Sequence, residues 1–234
     1  MRIALIEHSA GVGSAALEHW LGDHVVSRHA LHAGAPLPSL EDFDLLLLLD
    51  GSLSVHDERQ HAWMAAEKRL IHQALMMRKR VFGSGLGALL LAEALGARIA
   101  AGPEAARIGW WQLEKDPQSR QSPVGRMLPQ RLLALHWQRE HCSLPHGAIA
   151  LYGSAAAALQ GFVWQERAIG LLCQLEADAP SLDERLQHAA ADLHLPGQVQ
   201  DNASIRDGAP HAASANATLF RLLDYLSGAH AHMT

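Results

Sequence analysis

The segment from Arg80 to Ala97, RVFGSGLGALLLAEALGA, constrains the fold more than any other stretch of the chain. A short apolar start meets a glycine-dense turn, and a run of alanine and leucine follows as far as Gly96. This order predicts a strand, a sharp turn and a helix. Such a turn can serve as a nucleophile elbow, in which a strained apex residue lies beside N–H groups that face a developing oxyanion. The apex here is Gly85, which accepts a positive φ but has no side chain that could attack a substrate.

The segments before the elbow favour an α/β fold. Arg2 to Glu7 is an apolar run typical of a first strand, and Leu45 to Leu49 is a five-leucine run that suits a central parallel strand. Between them, Gly11 to Leu21 is predicted as a helix and Val25 to Leu31 as a second strand. Arg59 to Lys79 is predicted as a long amphipathic helix, with Glu67, Lys68 and Arg69 facing solvent.

The segments after the elbow are rich in predicted strands. They are Arg98 to Ala101, Ile108 to Leu113, Arg131 to Trp137, Ala148 to Tyr152, Gly161 to Gln165 and Ile169 to Gln174. Ser181 and Glu184 predict a capping box that opens a further helix, which ends at Pro196 and Gly197. The last helix carries a leucine stripe from Leu219 to Leu226 and ends at Gly228, and the tail from Ala229 is expected to fray.

Composition excludes several classes of function. The net charge of −5 and the dispersed Lys and Arg residues give no basic surface for nucleic acid or membrane. The N-terminal apolar run is too short for a signal peptide, and no stretch approaches the ~20 apolar residues of a membrane span. We therefore expect a cytoplasmic protein in which Cys142 and Cys173 are free thiols. No cofactor is predicted.

Several segments in order resemble class I glutamine amidotransferases, whose elbow pattern is G-x-C-x-G-x-Q followed by a Leu/Ala-rich helix. The similarity is closest to the stand-alone branch resembling the amidotransferase half of GMP synthase. Besides the elbow, the matching segments are DGSLSVHDE (Asp50 to Glu58), the helix with Trp63, Glu67 and Ile71, Ile108 to Trp111, Leu135 to Pro145, and GLLCQLE (Gly170 to Glu176). The resemblance implies a mixed, mostly parallel sheet flanked by helices, in flavodoxin-like layers. It covers residues 1–180, and we expect residues 181–234 to form a helical extension packed on the same domain.

The resemblance also implies what has happened to the catalytic residues. Gly85 stands at the nucleophile position and Gln174 at the position of the base histidine, while Glu176 keeps the orienting carboxylate. An amide does not titrate and cannot accept a proton from a thiol. Leu89 replaces the glutamine that holds the substrate, and Asp50 replaces a glycine of the oxyanion loop. The positions implied to line the pocket are Asp50, Gly51, Ser52, Ser84, Leu86, Leu89 and Gln138, the last in place of a second histidine.

Loss of nucleophile, base and substrate grip together indicates a catalytically silent protein, a pseudoenzyme that binds a small molecule or a protein partner. Such a partner would be a synthetase or an active paralogue, and a homodimer stays open. The alternative is an enzyme of different chemistry in the same cleft, using Glu176, Asp50 or Ser84. Ser84 could then be the nucleophile, although neighbouring side chains on a turn point in different directions.

Three other patterns carry weaker signals. GSGLGA satisfies G-x-G-x-x-A, but a dinucleotide fingerprint follows the first strand and needs an acid about 20 residues on. A small anion on the glycine-rich turn stays open. Among the 16 histidines, His141 and His146 with Cys142 form the one close mixed cluster, and its spacing matches no strong zinc pattern. His230 and His232 lie in the tail, and no metal site is predicted.

Overall fold

The structure is a computed structural model that describes residues 1–10, 16–101, 106–154 and 159–229. The strands of the described residues are β1 (Arg2–Glu7), β2 (Val25–Ala30), β3 (Leu45–Leu48), β4 (Arg80–Ser84), β5 (Ile99–Ala101), β6 (Ala106–Lys115), β7 (Arg131–Gln138), β8 (Glu140–Cys142), β9 (Ala148–Gly153), β10 (Gly161–Trp164), β11 (Ala168–Leu171) and β12 (Gly197–Val199). The α-helices are α1 (Leu17–Leu21), α2 (Ala62–Met76), α3 (Leu86–Ala94), α4 (Pro123–Met127), α5 (Ala179–His188), α6 (Asn202–Asp207) and α7 (Ala212–Ser227).

A large mixed sheet organises the chain. Its parallel part runs in the order β2, β1, β3, β4 and β11. From β11 the sheet continues through the antiparallel strands β10, β9 and β6, and β6 also pairs with β7 and β12. Strands β5 and β8 form a separate two-stranded ribbon. The predicted mixed, mostly parallel sheet is therefore confirmed.

The leucine run of β3 shows how helices cover both faces of this sheet. Leu45 and Leu47 belong to a buried cluster that contains leucines of α1 and α7. Leu46 and Leu48 belong to a second buried cluster built from α2 and α3. Side chains of a strand alternate between faces, so a strand that is apolar at every position needs a helical layer on each side. The result is the predicted arrangement of three layers.

The strand, turn and helix of the elbow are confirmed. Strand β4 ends at Ser84, α3 begins at Leu86, and Gly85 between them has φ 52° and ψ −117°. Helix α3 approaches β3 very closely, because a Cβ atom on Gly87 would lie 2.2 Å from the carbonyl oxygen of Leu48. Glycine at this position lets the helix N-terminus pack directly on the sheet, which places the apex above the end of β3.

Four predictions for single segments are wrong, and one of them is the end of α5, which lies at His188 and not at Pro196. Glu67 does not face solvent: it is fully buried, because its carboxylate bonds the ring of His8. The capping box of α5 is formed by Asp178 and Ser181, not by Ser181 and Glu184, since Asp178 is the residue with extended backbone before the first turn. The strand predicted to reach Gln174 ends at Leu171.

Short elements around the C-terminal part of the chain escaped prediction. Strand β12 and helix α6 follow α5, and both pack against β6. Helix α7 has the predicted leucine stripe and ends at Gly228, whose φ is 81°. Both cysteines are buried free thiols, as predicted. Predictions for residues 11–15, for the Pro103 loop and for the tail beyond Ala229 concern residues outside the described ranges.

Within the described ranges, no helix is both long enough and apolar enough to cross a membrane.

Candidate functional site

The carboxylate of Asp50 lies directly over the apex of the elbow. Asp50 follows β3, is 2% exposed, and its Oδ1 accepts a hydrogen bond of 2.8 Å from the N–H of Leu86. That N–H is at the N-terminus of α3, where unpaired donors and the helix dipole favour a negative charge. A Cβ atom on Gly85 would come within 1.9 Å of the same Oδ1. The space above the apex is therefore already filled.

Two further donors hold the second oxygen of Asp50. Gln174 donates from Nε2 at 2.8 Å, and Arg185 donates from Nη2 at 2.7 Å, both to Oδ2. Gln174 is placed by its own N–H, which donates to the carbonyl of Leu135 in β7. Arg185 reaches the site from α5, with its guanidinium 4.9 Å from the ring centroid of Trp137. Gln174, which the resemblance places at the position of the base, is thus a hydrogen-bond donor to Asp50.

Glu176 and Ser84 form a separate buried pair beside this arrangement. Ser84 donates from Oγ to Oε1 of Glu176 at 2.7 Å. Burial raises the pKa of Glu176 to about 7, against the opposing effect of this hydrogen bond. Glu176, predicted to be the orienting carboxylate, therefore has a hydroxyl of the elbow strand as its partner.

The loop Asp50–Ser52 rests on a buried pair of titratable side chains. His8 Nδ1 donates to the carbonyl of Leu49 at 2.7 Å, and His8 Nε2 lies 2.7 Å from Oε1 of Glu67. Burial opposes a charge on His8, but the Coulombic attraction and hydrogen bond of Glu67 outweigh it, and the pKa of His8 is raised. The His8 ring also packs near Trp63 at 5.9 Å. This pair fixes the carbonyl that immediately precedes Asp50.

A pocket of about 350 Å³ opens beside Asp50 and Gly85. Its described lining has an apolar part and a polar part, and it does not include Ser84. The apolar part consists of Leu53, Leu86, Leu89, Ala101, Trp137 and Leu172. The polar part consists of Asp50, Ser52, Ser54, Asp57, Gln138, Arg139 and Glu140, and the glycines are Gly51 and Gly85.

Much of this polar lining is engaged within the protein. Gln138 donates from Nε2 to Gln160 and to the carbonyl of Leu172. Glu140 accepts a 2.6 Å hydrogen bond from Ser54 Oγ, and Arg139 donates to the carbonyl of Ser52. Leu89 contributes a side chain without hydrogen-bonding groups. A ligand here meets a lining to which apolar and polar side chains contribute about equally.

The described residues contain no group of three or more His, Cys, Asp or Glu side chains that could hold a metal ion. His141 and His146 are exposed, whereas Cys142 is buried, and burial raises the pKa of its thiol to about 12. His136 in β7 is fully buried, and burial with the nearby Arg107 lowers its pKa to about 3. His230 and His232 lie beyond the described residues.

Arg185, His8 and Glu67 were missed as site residues. The sequence offers little signal for Arg185, because an arginine in the middle of an amphipathic helix is usually solvated. His8 follows β1, where the carboxyl ends of parallel strands gather, and that position was an available signal. The residues predicted for the site lie in the elbow or in segments that resemble the amidotransferases, whereas Arg185 and His8 lie outside both.

The comparisons with known proteins agree with the architecture. No family model matches the chain. The glutamine amidotransferase-like protein YfeJ of Salmonella typhimurium (strain LT2) is 28% identical over 240 residues, which cover 98% of this chain and 99% of YfeJ.

Two solved structures extend the comparison. A glutamine amidotransferase from Thermotoga maritima superposes with a TM-score of 0.86 at 24% identity, covering 97% of each chain. A glutamine amidotransferase from Methylobacillus flagellatus superposes with a TM-score of 0.87 at 24% identity, covering 97% of this chain and 94% of its own. These likenesses concern the fold.

Proposed function

We propose that this chain, a glutamine amidotransferase-like protein with the class I fold, does not hydrolyse glutamine and acts as a binding scaffold. The observation that carries the proposal is the carboxylate of Asp50, which fills the space above Gly85 and accepts the N–H of Leu86. A negative charge held at this place opposes any second negative charge that would develop on a substrate oxygen.

The remaining chemistry of the site supports the same proposal. Amide hydrolysis by nucleophilic attack needs a nucleophile, a base within hydrogen-bond reach of it, and oxyanion donors. Gly85 provides no nucleophile. Gln174 has an amide, which cannot act as a base, and its Nε2 donates to Asp50. The Leu86 N–H, which would be an oxyanion donor, already donates to Asp50. The nucleophile and the base are thus absent, and the oxyanion donor is already bonded to Asp50.

The binding function is assigned to the pocket beside Asp50. Its leucine and tryptophan lining and the absence of an amide at Leu89 favour an apolar or mixed small molecule over free glutamine. A protein partner such as a synthetase or an active paralogue could use the same surface through an inserted side chain. The polar part of the lining, with Arg139 and Asp57, would then orient the bound group.

Ammonia release from excess glutamine tests the catalytic half of the proposal. We expect no turnover above background. A rate that saturates with glutamine and disappears in Glu176→Ala would contradict the proposal. Thermal-shift titration tests the binding half: a ligand at 100 times its Kd adds about 2.7 kcal/mol, and we expect no such stabilisation from millimolar glutamine.

One observation favours a second candidate, an enzyme of different chemistry in the same cleft. A carboxyl group with a pKa of about 7 suits a general base at neutral pH, and Glu176 has this property beside the Ser84 hydroxyl. Ser84 and Glu176 are both buried, however, and neither belongs to the described pocket lining. We therefore place this candidate second.

A further inference from the structure

Asp50 is bound as a carboxylate ligand would be bound. Each of its two oxygens has a donor from a different part of the fold: the Leu86 N–H on Oδ1, and the Gln174 amide with the Arg185 guanidinium on Oδ2. The distances are 2.7–2.8 Å, which is the range of charge-assisted hydrogen bonds. Asp50, Gln174 and Arg185 are 2%, 3% and 6% exposed.

The donors are held by contacts that do not involve Asp50. The Leu86 N–H belongs to α3, whose first turn packs on β3. Gln174 is fixed through its backbone N–H on Leu135, and Arg185 lies over the ring of Trp137. The donor positions are therefore set by the surrounding fold, so the three groups should keep their geometry when the Asp50 side chain is removed.

We propose that Leu86 N–H, Gln174 Nε2 and Arg185 form a preorganised binding site for a small carboxylate, and that Asp50 is its built-in occupant. This inference deepens the proposed function and rests on it, because in both the apex is closed by Asp50. It also limits the ligand of the pocket: a carboxylate group cannot reach these donors in the natural protein. The end of a pocket ligand beside Asp50 must instead be uncharged or a hydrogen-bond donor.

The test is to remove the occupant and offer a replacement. In Asp50→Ala, the cavity left by the side chain joins the pocket, and formate should bind. We expect a saturable rise in Tm of about 2–4 °C with formate, measured against sodium chloride at equal ionic strength. The parent protein should show no such difference. Isothermal titration with formate should give one site in Asp50→Ala and none in the parent.

Two matched variants make the assignment specific. Asp57→Ala removes another aspartate of the same pocket, whose carboxylate accepts from the Ser54 N–H, and should create no formate site. Asp50→Ala with Arg185→Met should lose the site, because the cationic donor is gone. If Asp50→Ala does not fold, Asp50→Ser keeps an acceptor for the Leu86 N–H and leaves the two other donors open for the same titration.

The proposal is overturned if folded Asp50→Ala or Asp50→Ser responds to formate and to chloride alike. It is also overturned if the response survives Arg185→Met. Glutaminase activity of the parent would contradict the proposed function, whereas the formate titration would still report whether the donors bind a carboxylate. The two failures are therefore distinguishable.

Discussion

A Cβ atom on Gly85 would lie 1.9 Å from Oδ1 of Asp50. The observed position of the Asp50 carboxylate therefore requires glycine at residue 85. Restoring a side chain at the apex requires Asp50 to move, and Asp50 is held by a guanidinium, an amide and a backbone N–H.

Substituting Gly85 should therefore destabilise the protein beyond the ordinary penalty for a positive φ. That penalty is about 1–2 kcal/mol, and the contact with Asp50 adds a steric cost of similar size. We expect Gly85→Ala to lose about 3 kcal/mol in denaturant unfolding. Gly96→Ala is the matched control, because Gly96 has φ 83° with no atom within 4 Å of an added Cβ. Equal losses in the free energy of unfolding at the two positions would show that Asp50 adds no steric cost at residue 85.

Rebuilding the catalytic residues should not restore activity. Gly85→Cys combined with Gln174→His and Leu89→Gln returns a thiol, a base and a substrate amide, but the Asp50 carboxylate, although displaced by the new side chain, stays beside the oxyanion donor. We expect glutamine hydrolysis by this triple variant to stay at background in an ammonia assay. Adding Asp50→Gly is the direct comparison. Activity in the triple variant with Asp50 intact would mean that the carboxylate does not oppose the reaction.

Substituting Arg185 should lower the free energy of unfolding far more than substituting an exposed arginine that pairs with an aspartate at the same distance. Arg185→Met leaves Asp50 buried without its cation, which should cost about 3–5 kcal/mol. Arg206 pairs with Asp183 at 2.7 Å, but both side chains are about half exposed, so Arg206→Met should cost less than about 1 kcal/mol. Urea unfolding of the two variants gives the comparison. Similar losses would argue against a structural role for the buried pair.

The raised pKa of Glu176 predicts a pH dependence of stability. The folded carboxyl titrates near 7 and the unfolded one near 4.5, so between these values the folded state binds more protons. The stability that protonated Glu176 gives the folded state is therefore lost as the pH rises through this window. The free energy of unfolding falls by at most about 1.4 kcal/mol per pH unit. Glu176→Gln should flatten this part of the curve in urea unfolding at pH 5, 6 and 7. An unchanged slope in the variant would assign the effect to other groups.

The elbow could be predicted from sequence because its signals are local. Gly83, Gly85 and Gly87 are required where backbones approach closely or turn sharply, and the helix composition begins right after them. Burial of polar side chains was harder to predict. Glu67 has helix neighbours typical of a solvated face, yet it is buried because it pairs with His8, which follows β1 and lies 59 residues earlier.

Strand β12 was missed for a related reason. It is three residues long, and its exposed glycine and glutamine carry no alternating pattern. Its pairing with the edge of β6 depends on contacts that the local sequence does not show.

The position of Arg185 bears on the order in which the chain matures on the ribosome. When the ribosome has reached residue 94, it has synthesised β3, β4 and α3. Arg185 lies 135 residues after Asp50 and is made much later. A chain that folded at the earlier length would have to bury Asp50 without a cation, at a cost of several kcal/mol. Asp50 should therefore stay hydrated until α5 leaves the exit tunnel. We expect the apex to close only after α5 has been synthesised.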